Sequence, residues 1–300
     1  MMSFKSVKYG AIDIGSNAIR LLIATANTMT GNPPNFKKIS LVRVPIRLGQ
    51  DVFTTGEISE VNFNRMVDAM KAYKLLMQVH KVEKYKAYAT SAMRGAQNGQ
   101  EIADYIKENC GIEIEIIDGS HEAAIIAMTD LHNVIDERKV YLYVDVGGGS
   151  TEFTLFAYGK EVVSRSFQIG TVRLLNDMVN NSLWAEAENW VKEVCKPYSK
   201  IELIGSGGNI NNIFKSSGKS QGKPLSYFYL ASYYEKLQSY TYEERIYSLN
   251  MNQDRADVII PACRIYLRAM KWSMAKNIYV PKIGLSDGII KSIYNADNRI

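Results

Sequence analysis

Cysteine is scarce in this chain. Three residues, Cys110, Cys195 and Cys263, stand far apart among 300. An odd, scattered set argues against a disulfide framework and for a reducing compartment, so a cytoplasmic location is expected. Histidine is equally rare. His80, His121 and His132 form no HExxH, and no cysteine pair has zinc-finger spacing, so a structural transition-metal site is not expected. No stretch reaches the roughly 18 uninterrupted apolar residues of a membrane span. The opening MMSFKSVKYGAIDIG lacks the apolar run and small-residue cleavage site of a signal peptide. Runs of Lys and Arg are missing too, and the net charge of +5 is mild. It suits a polyanionic ligand, whereas duplex nucleic acid is a poor expectation.

The composition is 46% apolar and 22% charged, which is that of a globular protein. Its length suits two domains of ordinary size. Period and turn chemistry predict strands at Tyr9–Ile14, Ile19–Thr25 and Ile39–Leu48, the last closed by Gly49. A helix over about Val61–His80 follows, then strand Lys84–Ala89, helix Gln100–Asn109, strand Ile112–Ile117 and helix Glu122–Val134. After the polar stretch Asp136-Glu137-Arg138-Lys139 the pattern restarts. Strands are expected at Val140–Val146, Thr151–Tyr158 and Glu161–Gln168. Helices follow at Val172–Val179 and Trp184–Tyr198, and then strand Ile201–Ile204. A flexible insert at Ser216–Pro224 and a long helix over Gln253–Lys276 precede a short strand and a last helix.

The restart is a repeat. Asp13-Ile14-Gly15-Ser16 and Asp145-Val146-Gly147-Gly148 each place an Asp at the end of an apolar strand, then a tight turn, then a returning apolar strand. Each opens a strand–strand–strand–helix half. The expected fold is α/β: two similar domains facing each other across a cleft, with each hairpin offering backbone N–H groups to a phosphate chain. Domain I is taken as 1–124 and domain II as 125–300, with the last helix, about 284–300, packing back on domain I.

Several residues in this pattern are suited to phosphate chemistry. In the first turn Asp13 can hold Mg²⁺ directly or through water, Gly15 permits close backbone approach, and Ser16 and Asn17 offer short polar side chains. An Asx-type turn is the plain structural alternative. In the second turn, Gly147-Gly148-Gly149 is conformationally costly, which points to a phosphate nest continued by Ser150 and Thr151. Asp145 and Glu152 flank it. Two acids beside bound phosphates need a cation between them, hence Mg²⁺ as the expected metal on Asp13, Asp145 and Glu152. Gly207 and Gly208 follow a strand and start a helix, an anion-binding junction that also occurs without a ligand. Ser91 and Arg94 lie at the carboxyl end of a strand, and Arg94 and Arg20 can fork onto phosphate oxygens. Ser120 is the expected N-cap of the helix that carries Glu122. Glu122 there either complements the helix dipole or takes a proton from water attacking a terminal phosphorus. His121 is the rival base.

Taken together these motifs resemble the exopolyphosphatase / guanosine pentaphosphate phosphohydrolase (Ppx/GppA) family of the actin-like ATPase superfamily. The likeness rests on Ala11–Asn17, Ala89–Arg94, Gly119–Ala123, Val144–Glu152, Ile204–Gly208 and Leu285–Gly288, in the family's order. It implies two actin-like (ribonuclease H-like) ATPase domains. It also implies Glu122 as catalytic glutamate, Asp145 and Glu152 as acids associated with Mg²⁺ and catalysis, the two turns as phosphate loops, and Arg94 as a phosphate contact. The implied substrate is inorganic polyphosphate or a guanosine penta- or tetraphosphate, and the implied assembly is a homodimer. Two departures stand out. Glu122-Ala123-Ala124 replaces the frequent Glu-Ala-Arg, and the chain reads as a short form without the C-terminal HD-type domain, which puts processivity on long chains in question. The leading expectation is a Mg²⁺-dependent exopolyphosphatase. The alternatives are a pppGpp 5′-phosphohydrolase, a (p)ppGpp sensor without turnover, and a sugar kinase or acetate-kinase-like enzyme on the same fold.

Overall fold

A computed structural model of the protein describes residues 3–129 and 136–298. The chain divides into two compact units, Met1–Thr129 with Leu285–Ile300, and Asp130–Gly284.

The first unit begins with β1 (Phe4–Ile14), β2 (Ile19–Met29) and β3 (Asn35–Val44), an antiparallel meander. α1 (Leu48–Thr55) and α2 (Glu60–Val79) follow, then β4 (Lys84–Ala89), α3 (Ser91–Gly95), α4 (Gly99–Cys110), β5 (Ile114–Ile116) and α5 (Gly119–Ala127). Strand order is β3-β2-β1-β4-β5, with β4 and β5 parallel to β1. β1 and β2 are apolar on both faces because both faces are covered. Ile12, Ile14, Leu21 and Leu22 are buried to 2% exposure or less, and such burial contributes about 1.5–3 kcal/mol for each side chain. Edge strand β3 carries Lys37 and Lys38, a common guard against edge pairing.

The second unit holds β6 (Val140–Val146), β7 (Thr151–Ala157), β8 (Lys160–Phe167), α6 (Thr171–Leu175), α7 (Asn181–Cys195), β9 (Ile201–Ser206) and α8 (Gly208–Ser216). It continues with β10 (Leu225–Ser226), α9 (Tyr227–Gln238), α10 (Tyr242–Tyr247), α11 (Gln253–Ala256), α12 (Ile259–Trp272) and β11 (Asn277–Tyr279). Its sheet runs β8-β7-β6-β9-β11-β10, with β9 parallel to β6 and β11 parallel to β9. The first five positions repeat the order and directions of the first unit, so the duplication seen in the motifs extends to the whole sheet. Val140, Leu142, Val144 and Val146 turn one face of β6 into a core shared with Trp184, Val191, Ile259 and Trp272. α13 (Leu285–Asn298) packs on β1, β2 and α5 of the first unit.

Several boundaries differ from the sequence expectation. β3 ends at Val44, and Leu48-Gly49 open α1 instead of closing a strand. The long helix expected over Gln253–Lys276 is two, α11 and α12, broken at Asp257-Val258. Pro261 fits because it lies in the first turn of α12, where its missing N–H is no loss. α5 ends at Ala127 with Met128 as its cap, and residues 130–134 of the expected helix, His132 among them, lie outside the described residues. None of the described helices is long and apolar enough to cross a membrane.

Candidate active site

Parallel strands bring their carboxyl ends to one edge of a sheet, and in each unit the motifs collect there. In the first unit the ends of β1, β4 and β5 place the Asp13–Asn17 turn, Ser91 with Arg94, and Asp118 with Glu122 along one edge.

Asp13 is 5% exposed. Its Oδ2 accepts a charge-assisted hydrogen bond of 2.7 Å from the Arg20 guanidinium, which sits directly across the ladder. The turn closes with Gly15 N–H donating to Ala18 O at 3.1 Å. Ser16 is buried, and its carbonyl accepts from Gly49 N–H at 2.8 Å. A Cβ on Gly49 would lie 2.9 Å from that of Ser16, so only glycine lets α1 seat against the turn. Asn17 O accepts from Arg47 N–H at 3.3 Å, with Arg47 in the left-handed region at φ 61°. Thr90 N–H bonds Ile14 O at 3.1 Å and ties the Ser91–Arg94 turn to β1. Arg94 directs its guanidinium to Ile117 O, the residue before the helix cap.

The cap of α5 is Asp118, not Ser120. Its Oδ1 accepts from His121 N–H at 2.8 Å and from the Ser120 hydroxyl at 2.6 Å. The Ser120 hydrogen bond, then the His121 N–H, hold the Asp118 carboxyl below its ordinary value. Glu122 occupies the first turn, partly buried, with its N–H on Asp118 O at 3.0 Å. His121 is exposed, its ring 5.6 Å from that of Tyr88 and its Nδ1 3.8 Å from Glu115.

In the second unit the ends of β6 and β9 gather Asp145, the Gly147–Ser150 turn and Gly207-Gly208. Asp145 pairs in register with Glu152 on one side and Ser206 on the other. Glu152, only 3% exposed, accepts from Ser150 Oγ at 2.6 Å and Ser166 Oγ at 2.9 Å. The glycine turn is clamped from outside. Thr171 and Val172 N–H donate to Gly147 O and Gly148 O at 3.0 and 2.8 Å, and Arg173 Nε donates to Gly149 O at 2.9 Å. A Cβ on Gly170 would fall 2.2 Å from Gly148 O, so this backbone approach demands glycine. Thr151 is wholly buried and its hydroxyl bonds Ile169 O, which gives it a structural task beside the turn.

Gly207 takes φ 104°, open to glycine and strained for other residues. A side chain there would meet Val146 O at 3.1 Å and Asp145 Oδ1 at 3.3 Å. Gly208 lies under the Arg255 guanidinium, 2.7 Å from where its Cβ would be, and Arg255 also donates to Asn209 Oδ1 at 2.7 Å. Two fully buried tyrosines flank this corner. The Tyr266 hydroxyl donates to Ser206 O. Burial first, then the charge of Asp145, push both Tyr143 and Tyr266 well above the usual phenol range, so both remain neutral.

The structure therefore assembles Asp13, Gly15, Ser16, Asn17, Arg20, Ser91, Arg94 and Glu122 on one sheet edge. It assembles Asp145, Gly147, Gly148, Gly149, Ser150, Thr151, Glu152, Gly207 and Gly208 on the other unit's edge. Sequence reading missed Arg255, Asn209, Tyr143 and Tyr266. Arg255 sits 46 positions from Asn209, and no local spacing links them. The Leu285–Gly288 motif is explained by packing: a Cβ on Gly288 would lie 2.1 Å from Ile125 O, so glycine lets α13 seat on α5, and Asp287 pairs with Lys38 at 2.7 Å.

Among the described residues no group of three or more His, Cys, Asp or Glu side chains is arranged to hold a metal. The donor pair that fits Mg²⁺ is Asp145 with Glu152, two hard carboxylates opposed on one ladder beside a glycine turn. Asp13 has one oxygen committed to Arg20.

The geometry can be set beside known proteins. The chain is 31% identical to a bifunctional 3-dehydroquinate synthase/phosphatase of Fusobacterium nucleatum over 66% of its own length and 32% of that protein. It is 31% identical to exopolyphosphatase 2 of Mycobacterium tuberculosis over 56% of its length and 53% of that protein. It is 26% identical to a guanosine-5′-triphosphate,3′-diphosphate pyrophosphatase of Photobacterium profundum over 67% of its length and 42% of that protein. The chain thus spans from a third to a half of the length of these curated relatives. Among solved structures, an exopolyphosphatase from Cytophaga hutchinsonii superposes with TM-score 0.82 at 25% identity, covering 96% of this chain and 98% of that one. The Aquifex aeolicus member of the Ppx/GppA family gives 0.78 at 25% identity, covering 98% and 99%. The profile of the Ppx/GppA phosphatase family matches residues 30–296, and with two sheets of one strand order carrying the motifs on their carboxyl edges, the chain belongs to that family.

Proposed function

We propose that this protein is a Mg²⁺-dependent exopolyphosphatase that removes the terminal phosphate of inorganic polyphosphate. The observation that carries the reading is the second-unit turn. Asp145 and Glu152 stand opposite each other beside a three-glycine turn whose carbonyls are fixed from behind by residues 171–173. Two acids beside phosphate are tolerable only with a cation, and two carboxylates plus phosphate oxygens suit Mg²⁺. Bound on Asp145 and Glu152, the ion would neutralise charge on phosphate oxygens.

The remaining work falls to the chain. Backbone N–H groups of Ser16-Asn17 and Gly148–Ser150 bind phosphoryl oxygens, those of Gly15 and Gly147 closing the two turns on Ala18 O and Ser150 O. Arg20 and Arg94 supply cationic forks. Glu122 accepts the proton of the water that attacks the terminal phosphorus, and the bridging oxygen leaves with the shortened chain. Tyr266 holds Ser206 and the Gly207 bend in place.

The decisive assay is phosphate release from polyphosphates of several lengths and from pppGpp, with and without Mg²⁺. Release from polyphosphate that stops on chelation supports the proposal. Release from pppGpp alone would make the protein a pppGpp 5′-phosphohydrolase, and tight binding without release would make it a sensor.

A further inference from the structure

The row of side chains that begins with Asp13 and Arg20 continues one strand further. Arg43 of β3 stands opposite Arg20 in register, so Asp13, Arg20 and Arg43 lie side by side on three neighbouring strands and project from one face. The matching row in the second unit reads Asp145, Glu152 and Ser166. The first row therefore sets two guanidiniums beside one carboxylate, and the second sets two carboxylates beside a hydroxyl. Arg43 is the residue that makes the first row positive.

Like charges directly opposite on a ladder repel, and an anion bound over them removes that cost. Asp13 gives its Oδ2 to Arg20 at 2.7 Å, which draws Arg20 inward toward β1. Arg43, half-buried, lies on the outward side, one strand spacing of about 4.8 Å further from the turn. Its end of β3 is fastened to the Ser16-Asn17 turn. Arg47 N–H donates to Asn17 O at 3.3 Å, and Gly49 N–H to Ser16 O at 2.8 Å. Beneath the row, the buried Tyr73 hydroxyl lies 3.0 Å from Ile19 O and 3.2 Å from Val42 O, the residues just before Arg20 and Arg43. Burial, then the charge of Asp13, raise this phenol, while Arg20 and Arg43 pull it back, so all three charges of the row act on one point.

We propose that Arg43 is a specificity-determining residue. It takes the phosphoryl group next along the chain from the one on Arg20, and so makes the site prefer tripolyphosphate to pyrophosphate. A guanidinium suits this task because it forks onto two phosphoryl oxygens. The assignment rests on the proposed phosphohydrolase activity, but binding alone can test it.

The test is calorimetry on the full chain with Mg²⁺, in a Glu122→Gln background that prevents turnover, with tripolyphosphate and pyrophosphate as probes. Tripolyphosphate is expected to bind about tenfold tighter, the scale of one hydrogen bond to a charged group. Arg43→Gln should bring the two affinities within about threefold, chiefly by weakening tripolyphosphate. Arg43→Lys, which keeps the charge and loses the fork, should recover part of the preference. Lys37→Gln removes an equal charge from β3 opposite Thr25, away from the row, and should leave the preference intact. Equal affinities in the presence of Arg43, an unchanged ratio in Arg43→Gln, or an equal loss in Lys37→Gln would overturn the assignment. Phosphate release by the unsubstituted chain is followed in parallel. A tripolyphosphate preference that needs Arg43, without release, would sink the catalytic reading and leave this assignment standing.

Discussion

Arg20 stands across the β1–β2 ladder from Asp13 and binds its carboxylate at 2.7 Å. The same station in the second unit, across β6–β7 from Asp145, is occupied by Glu152. One duplicated scaffold therefore carries an acid–base pair in one copy and an acid–acid pair in the other. The first is neutralised within the protein. The second sets two carboxylates opposite each other, and it is on this pair that the Mg²⁺ proposal rests.

Arg20→Met should lower kcat/KM for polyphosphate by roughly tenfold to a hundredfold, the usual range for a charge-assisted hydrogen bond. It should also lower Tm, because Asp13 is left buried without its cation. Adding Asp13→Asn should restore part of the Tm. A double variant no more stable than the single one would mean the pair is not coupled.

Glu122→Gln should reduce kcat by about 10²- to 10⁴-fold while leaving polyphosphate affinity within a few-fold. Parallel turnover and equilibrium-binding measurements decide this. A variant with near-normal turnover would transfer the base role elsewhere, with His121 as the next residue to replace.

Gly170→Ala forces a methyl group to within 2.2 Å of Gly148 O. The turn must shift, at a cost of about 1–3 kcal/mol by analogy with overpacked cores. A raised KM is expected alongside the lower Tm. An unchanged melting curve would show that the turn and the 170–173 segment are not in the contact described.

All three thiols are buried. Burial pushes the Cys195 thiol up to about 12, and Cys110 and Cys263 also upward. At pH 8 the folded protein should react with no equivalent of a thiol reagent, and the denatured protein with three. Rapid labelling of the native state would contradict the burial.

Asp118 gives a pH prediction. Its folded value lies below the ordinary carboxylate value, so the cap contributes fully above about pH 3.9 and is lost as pH falls through the lower folded value. Asp118→Ala should lower Tm by a few degrees at neutral pH and leave the stability curve flatter on the acid side. An Asp118 titration by NMR at the ordinary value would argue against the cap.

The duplicated hairpins were legible because each Asp, turn and apolar return is a local pattern. What the sequence concealed depends on distant partners. α1 was hidden because its Asp51 is committed beyond its own helix. Oδ2 of Asp51 accepts from Ser59 N–H at 3.0 Å, Ser59 Oγ at 2.6 Å and Asn62 Nδ2 at 2.8 Å. Arg255 was invisible for the same reason, since its place over Gly208 is set by the break between α11 and α12. Ser120 looked like the cap because Ser, like Asp, suits that role. Only the dihedrals separate them, with Asp118 extended at φ −82°, ψ 172°.

The last helix belongs with the first strands. Leu285, Ile289, Ile290 and Ile293 are buried in the unit that starts at the other end of the chain, and Tyr9 donates to Asp297 at 2.9 Å. During synthesis the amino-terminal half therefore waits with an uncovered apolar surface until the ribosome has delivered α13, while the second half meets no such delay. Folding order should run opposite to order of synthesis, and a fragment ending at Thr129 should bind chaperones or aggregate where the 136–284 segment does not.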